Sequence, residues 1–124
     1  MSRIAALALA LLLSCAASAD AQDSAAQREI SHLLDYLAAS GCQFNRNGTW
    51  YDSAQAVSHL KRKYDYLLNR GLVADADAFI DRAAAQSSSS GKPYLVQCDQ
   101  APAVKSAEWL REELARYRAS ERKQ

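Results

Sequence analysis

Three short stretches of the chain carry the side chains that could do chemistry. Arg46-Asn47-Gly48 sets a guanidinium beside a dipeptide suited to a tight turn. An arginine presented by such a turn offers a rigid fork of donors that fits a carboxylate or a phosphate; its plainer role is that of an exposed strand-end residue. His59, Lys63, Tyr66 and Arg70 fall at i, i+4, i+7 and i+11, so on a helix they share one face. That face is either simply solvated or a cationic surface with an aromatic member, able to hold an anionic group. Residues 87–92, Ser-Ser-Ser-Ser-Gly-Lys, are rich in hydroxyls and flexible backbone. Such a segment can fold into a concavity of N–H groups that takes an anion, and a turn that ends a helix explains it equally well.

Catalysis by these residues would need His59 as a general base, since imidazole titrates near neutral pH, with Ser88 or Ser90 as nucleophile and an acid to orient the ring. No G-x-S-x-G elbow and no P-loop spacing is present. His32 and His59 are the only histidines and no H-E-x-x-H occurs, so neither a metal nor another cofactor is expected. Cys42 and Cys98 form no C-x-x-C redox motif. The polar motifs are therefore read as one candidate binding surface, made of Arg46, Asn47, Tyr51, His59, Lys63, Ser88, Ser90 and Tyr94, that recognises a protein or a cell-envelope component. A small hydrolase and a purely structural envelope protein are the alternatives. Periodicity assigns Tyr64, Trp109 and Tyr117 to the core and leaves Trp50, Tyr51 and Tyr94 open between core and a ligand-binding face.

The elements that must position these residues follow from pattern. Ser24 and Gln27 have capping-box spacing ahead of the stripe Ile30, Leu33, Leu34, Leu37 and Ala38, which predicts a helix ending at Gly41. Asn47-Gly48 between residues of strand preference predicts a hairpin with a type I′ turn. Asp52 or Ser53 caps a second helix with the stripe Val57, Leu60, Tyr64, Leu67 and Leu68, ending at Asn69-Arg70-Gly71. Asp75 caps a short third helix bearing Phe79, Ile80, Ala83 and Ala84, stopped by the serine run. Residues 92–98 are a strand candidate with Pro93 at its start, and Ser106 is read as the cap of a last helix burying Trp109, Leu110, Leu114 and Tyr117. The fold class expected is α+β: about four helices with a small antiparallel sheet of two or three strands and one disulfide.

The ends and the charge balance set the context. Arg3, an apolar run over residues 4–13 and the small residues that follow have the layout of a signal peptide covering residues 1–21. The run is about half of the roughly twenty residues that span a bilayer, so no transmembrane span is expected. Cleavage after Ala19 or after Ala21 fits the small-residue rule; alternatively Cys15, in Leu12-Leu13-Ser14-Cys15, becomes a lipid anchor. Either route leaves Cys42 and Cys98, which in an exported, periplasmic chain argue for one disulfide. Residues 22–117 form a single globular domain and residues 118–124 a charged tail expected to fray. Fifteen basic residues stand against fourteen acidic ones, so no global field draws the protein to nucleic acid.

The separated motifs Ser40-Gly41-Cys42-x-Phe44-x-Arg46-Asn47-Gly48-x-Trp50-Tyr51, then Ala56-x-x-His59-Leu60-x-x-Lys63-Tyr64, then Phe79-Ile80, and then Ser87-Ser88-x-Ser90-Gly91-x-Pro93-Tyr94 resemble a bacterial family of small exported proteins, domain of unknown function 5329. The resemblance covers nearly the whole chain beyond the leader and implies export and a single domain. It implies no activity.

Overall fold

A computed structural model describes residues 17–124, with side chains from residue 25 onward. The expected leader over residues 1–21 lies outside them except for residues 17–21, and the alternative anchor at Cys15 lies outside them altogether. The first helix, α1, spans Ala17–Ala39. Ser24 therefore lies within the helix and does not cap it. The physical reason is that residues 17–23 are alanine-rich and hold no proline or glycine, so nothing stops the helix from extending toward the N-terminus. Ile30, Leu33, Leu34 and Leu37 are buried along one stripe, while Ala38 is exposed. Beyond the end of α1, Gly41 takes the left-handed conformation at φ +67° that turns the chain back.

Strands β1 (Gln43–Arg46) and β2 (Thr49–Tyr51) form the expected hairpin. Asn47 at φ 52° and Gly48 at φ 86° supply the two positive dihedrals of a type I′ turn, and Asn45 Oδ1 accepts from the Gly48 N–H at 3.1 Å. Helix α2 (Ser53–Leu68) starts in a complete capping box, Asp52 accepting from the Gln55 N–H while the Gln55 side chain accepts from the Asp52 N–H. Leu60 is fully buried, Val57, Tyr64 and Leu67 pack at the edge of the core, and Leu68 stays exposed. Asp75 caps α3 (Ala76–Phe79), whose chain widens into a π-helical turn over Ile80–Ala84; this turn buries Ile80, Ala83 and Ala84.

Strand β3 (Leu95–Gln97) pairs antiparallel with β1, placing Phe44 opposite Val96. The sheet has a fourth strand, β4 (Val104–Lys105), in the order β2-β1-β3-β4. Its two exposed residues offer no alternation to read. Cys42 and Cys98 are joined as a disulfide, one position beyond the Gln43–Gln97 pair, and fasten that end of β1 to that end of β3.

Helix α4 (Ser106–Glu121) corrects one expectation. Ser106 is the first helical residue, Lys105 holds the cap position without a side-chain cap bond, and the Ser106 hydroxyl is fully buried without a partner among the described residues. The chain turns from β4 straight into the helix, so the serine is rotated into the core; its N–H donates to the Tyr94 carbonyl at 2.9 Å. Leu110 and Leu114 are buried; Trp109 and Tyr117 are half-buried, against Tyr36 and His32 respectively. The helix runs on to Glu121, and Arg118 makes a two-pronged bond to Glu29 at 2.7 and 2.9 Å and a third to Asp77 at 3.1 Å. Among the described residues no helix is long and apolar enough to cross a membrane.

Candidate functional site

Local structure brings the three polar stretches together. Asn47, at the hairpin tip, donates through Nδ2 to Ser87 Oγ at 3.2 Å and accepts through Oδ1 from Ser90 Oγ at 2.5 Å. Ser87 is buried, and its hydroxyl also accepts from the N–H groups of Ser89 and Ser90 at 3.3 Å. The serine run is thus a wound turn nailed to the hairpin. Among the described residues, the Ser88 hydroxyl alone of the four makes no hydrogen bond.

Tyr94 is the hub of the site. Its ring is core, 2% exposed and 5.2 Å from the Phe44 ring, which decides the question the sequence left open. Its hydroxyl, however, emerges among cations: Lys63 Nζ donates to it at 3.2 Å and His59 Nε2 lies at 3.1 Å. Lys63 also donates to the Gln86 carbonyl at 3.0 Å and sits 4.9 Å above the Tyr94 ring. The phenol oxygen accepts from lysine, and its contact with His59 Nε2 runs in the direction that the imidazole tautomer sets. Arg46, the last residue of β1, lies 5.0 Å over the Tyr51 ring, and its buried Nε has no partner among the described residues.

Electrostatics follow from this crowding. Burial, then Arg46, Lys63 and Arg62, pushes the His59 pKa from 6.5 down to about 4. Burial and Arg46 lower Lys63 to about 8. Burial raises the Tyr94 phenol above its ordinary value, against the opposing pull of Arg46. Ion pairs among the described residues lie on the side of α1, α3, the π-helical turn and α4, and include Arg111–Asp81, Arg116–Glu113, Arg118 with Glu29 and Asp77, and His32–Glu113. Among the described residues no carboxylate stands within ion-pair distance of Arg46, Arg62 or Lys63.

Two adjoining clefts open on this face. One, of about 230 Å³, is lined by His59, Arg62, Lys63, Tyr66, Leu67 and Ser88. The other, of about 420 Å³, is lined by Arg46, Tyr51, Ala54, Gln55, Ser58 and Arg62. Arg62 belongs to both, with one arm on Ser58 Oγ at 2.9 Å. It is the residue that the sequence reading missed. The signal was present, since 59, 62, 63 and 66 are i, i+3, i+4 and i+7 on one helical face. Tyr66 is 57% exposed and carries Arg70 stacked 3.6 Å above its ring.

Of the expected surface, Arg46, Asn47, Tyr51, His59, Lys63, Ser88, Ser90 and Tyr94 all lie on or directly beneath this face. A serine–histidine pair does not form: His59 Nε2 is on Tyr94, and among the described residues no hydroxyl of the serine run and no carboxylate hydrogen-bonds the ring, although Ser88 lines the same cleft. Among the described residues no three His, Cys, Asp or Glu side chains gather as a metal would require.

The sequence pattern of a family of unknown function, DUF5329, matches residues 24–118. The chain belongs to this family. DUF5329 here takes the form of an α+β domain of four helices, a four-stranded antiparallel sheet and one disulfide. The chain is also similar to the Uncharacterized protein YfeK of Salmonella typhimurium, 37% identical over 95 residues that cover 76% of this chain and 77% of the relative. No solved structure matches.

Proposed function

We propose that this DUF5329 domain is a non-catalytic binding module that acts outside the cytoplasm and recognises a protein or cell-envelope component through the Arg46–His59–Lys63 face. One observation carries the reading: arginine, lysine and histidine crowd around the Tyr94 hydroxyl with no carboxylate among the described residues paired to the arginine or the lysine, at the cost of depressed pKa values for His59 and Lys63. Uncompensated charge of one sign, held on rigid elements beside a cleft, favours an anionic partner. The leader pattern and the disulfide support export to the periplasm, with lipid anchoring at Cys15 as the other route. Crosslinking capture from envelope extract with the oxidised domain, beside Arg46→Ala and Lys63→Ala, tests the face. Partner capture by the native domain and its loss from both folded variants is the expected result; capture that both variants retain, or no capture at all, removes the reading. Intact mass of the fractionated protein reports the processing route.

The hydrolase reading has one observation in its favour, the shared cleft of His59 and Ser88. It requires Ser88 to displace Tyr94 from His59 Nε2, and turnover of ester substrates lost in Ser88→Ala would be its mark.

A further inference from the structure

Resting on the reading of this face as anion-recognising, we propose that the cleft between α2 and the serine turn is a receptor for a phosphate monoester group carried on a small apolar body. Charge points to the ion. Arg62 and Lys63 line the cleft, Arg46 lies next to it, and none of the three has a carboxylate among the described residues. A carboxylate would answer one of them; a phosphate monoester, with about −1.5 to −2 charge at neutral pH, answers two.

Donor placement separates the two chemistries further. A carboxylate is planar and is best met by an open arginine fork. Here Arg62 has an arm on Ser58, and Arg46 lies across Tyr51. The donors that remain come from two walls: α2, with the rest of the Arg62 guanidinium and the Lys63 N–H left over from its bonds to Gln86 and Tyr94, and the turn, with the Ser88 hydroxyl. Ser88 is the serine of its run with no hydrogen bond among the described residues, although Ser87, Ser89 and Ser90 are all bonded. A tetrahedral group with three terminal oxygens can accept from both walls at once, and a lysine serves it as a point charge.

Tyr66 and Leu67 form the apolar part of the lining and fit the body of the ester. At about 230 Å³ the cleft is smaller than the roughly 300–1,000 Å³ of sites that enclose a whole ligand. It takes the phosphate end and the first part of what carries it. A soluble ester and the phosphate headgroup of a lipid both present that chemistry.

The test uses the oxidised full-length mature protein and NMR titration of the His59 imidazole and the α2 amides. Phenyl phosphate and benzoate are the paired probes, with vesicles of phosphatidylcholine, with and without phosphatidic acid, for sedimentation. Phenyl phosphate is expected to bind saturably and about tenfold or more tighter than benzoate, moving the His59 titration upward from about 4. Lys63→Met weakens it about tenfold or more and Arg62→Gln, at an exposed position, several-fold. Sedimentation with phosphatidic acid that Lys63→Met abolishes assigns the group to a lipid; binding of phenyl phosphate without sedimentation assigns it to a soluble ester. Phenyl phosphate that binds no tighter than benzoate, or binds folded Lys63→Met and Arg62→Gln as well as the native protein, overturns the proposal. Should that happen while Arg46→Ala and Lys63→Ala still lose partner capture, the phosphate assignment falls and the binding face stands.

Discussion

Replacing Ser106 by alanine separates two readings of one residue by the sign of the effect. As an N-cap, serine would accept from the backbone of the first turn, and its loss would cost about 1 kcal/mol. The fold instead places Ser106 at the first position inside α4, fully buried, with a hydroxyl that has no partner among the described residues. A buried hydroxyl without a hydrogen bond carries a desolvation penalty of about 1–3 kcal/mol. Alanine removes that oxygen, keeps the backbone N–H that donates to the Tyr94 carbonyl, and is the better helix former. The small void left behind subtracts part of the gain. Ser106→Ala is therefore expected to stabilise the oxidised domain by about 1 kcal/mol, which in a domain of this size raises Tm by about 4–8 °C. Urea and thermal unfolding, followed by circular dichroism on both proteins, measure it. A loss of 1 kcal/mol or more in Ser106→Ala would show that the hydroxyl is bonded and acts as a cap, and the account of the β4–α4 junction would be wrong.

Three further outcomes are expected of the same fold. The disulfide closes a separation of 56 residues, for which the chain-entropy relation gives about 14 cal/mol/K, or about 4 kcal/mol; the double variant Cys42→Ala, Cys98→Ala should lose most of that in urea, and a loss below about 1 kcal/mol would refute the entropic account. His59 is pushed below its unfolded value by burial and by Arg46, Lys63 and Arg62, with Tyr94 on its Nε2, so the unfolded chain binds the proton more readily; native stability should fall, relative to His59→Gln, as pH drops from about 6.5 to about 4 and level off below, and parallel pH curves for the two proteins would exclude this. Arg118→Ala should cost about 1 kcal/mol and show a smaller penalty in high salt, because the two-pronged contact with Glu29 is partly screened; no change in urea midpoint would mark the contact as idle.

What the sequence disclosed depended on how local the cause was. Asn47-Gly48, the Asp52/Gln55 box, the Asp75 cap and the Cys42–Cys98 link each rest on neighbours in the chain or on a simple count, and each stands in the fold. The start of α1 and the role of Ser106 went the other way. In both a serine had the right type for a cap, but the backbone on its N-terminal side decided the matter: an alanine-rich stretch prolonged one helix, and strand pairing of Val104 and Lys105 led directly into the other. The candidate site was legible as three separate motifs, and their convergence was inferred. That Asn47 bonds Ser87 and Ser90, and that His59 and Lys63 meet on Tyr94, needs strand β3 beside β1, a contact between residues some fifty positions apart. Tyr94 resisted classification because its ring and its hydroxyl have different surroundings. Arg62 shares its helical face with three residues that were named, and it entered the site only through the shape of the cleft.

Every residue of the cationic face, from Arg46 to Tyr94, lies between Cys42 and Cys98, whereas the whole of α1 and of α4 lies outside them. The surface is thus built within a covalent ring to which two helices are attached as arms. Fraying of an arm, or a protease cut within the ring at the exposed turn around Gly71 and Leu72, leaves the hairpin and the Tyr94 strand chemically bound to each other at their shared end. The two pieces of such a nicked molecule stay covalently joined until the disulfide is reduced.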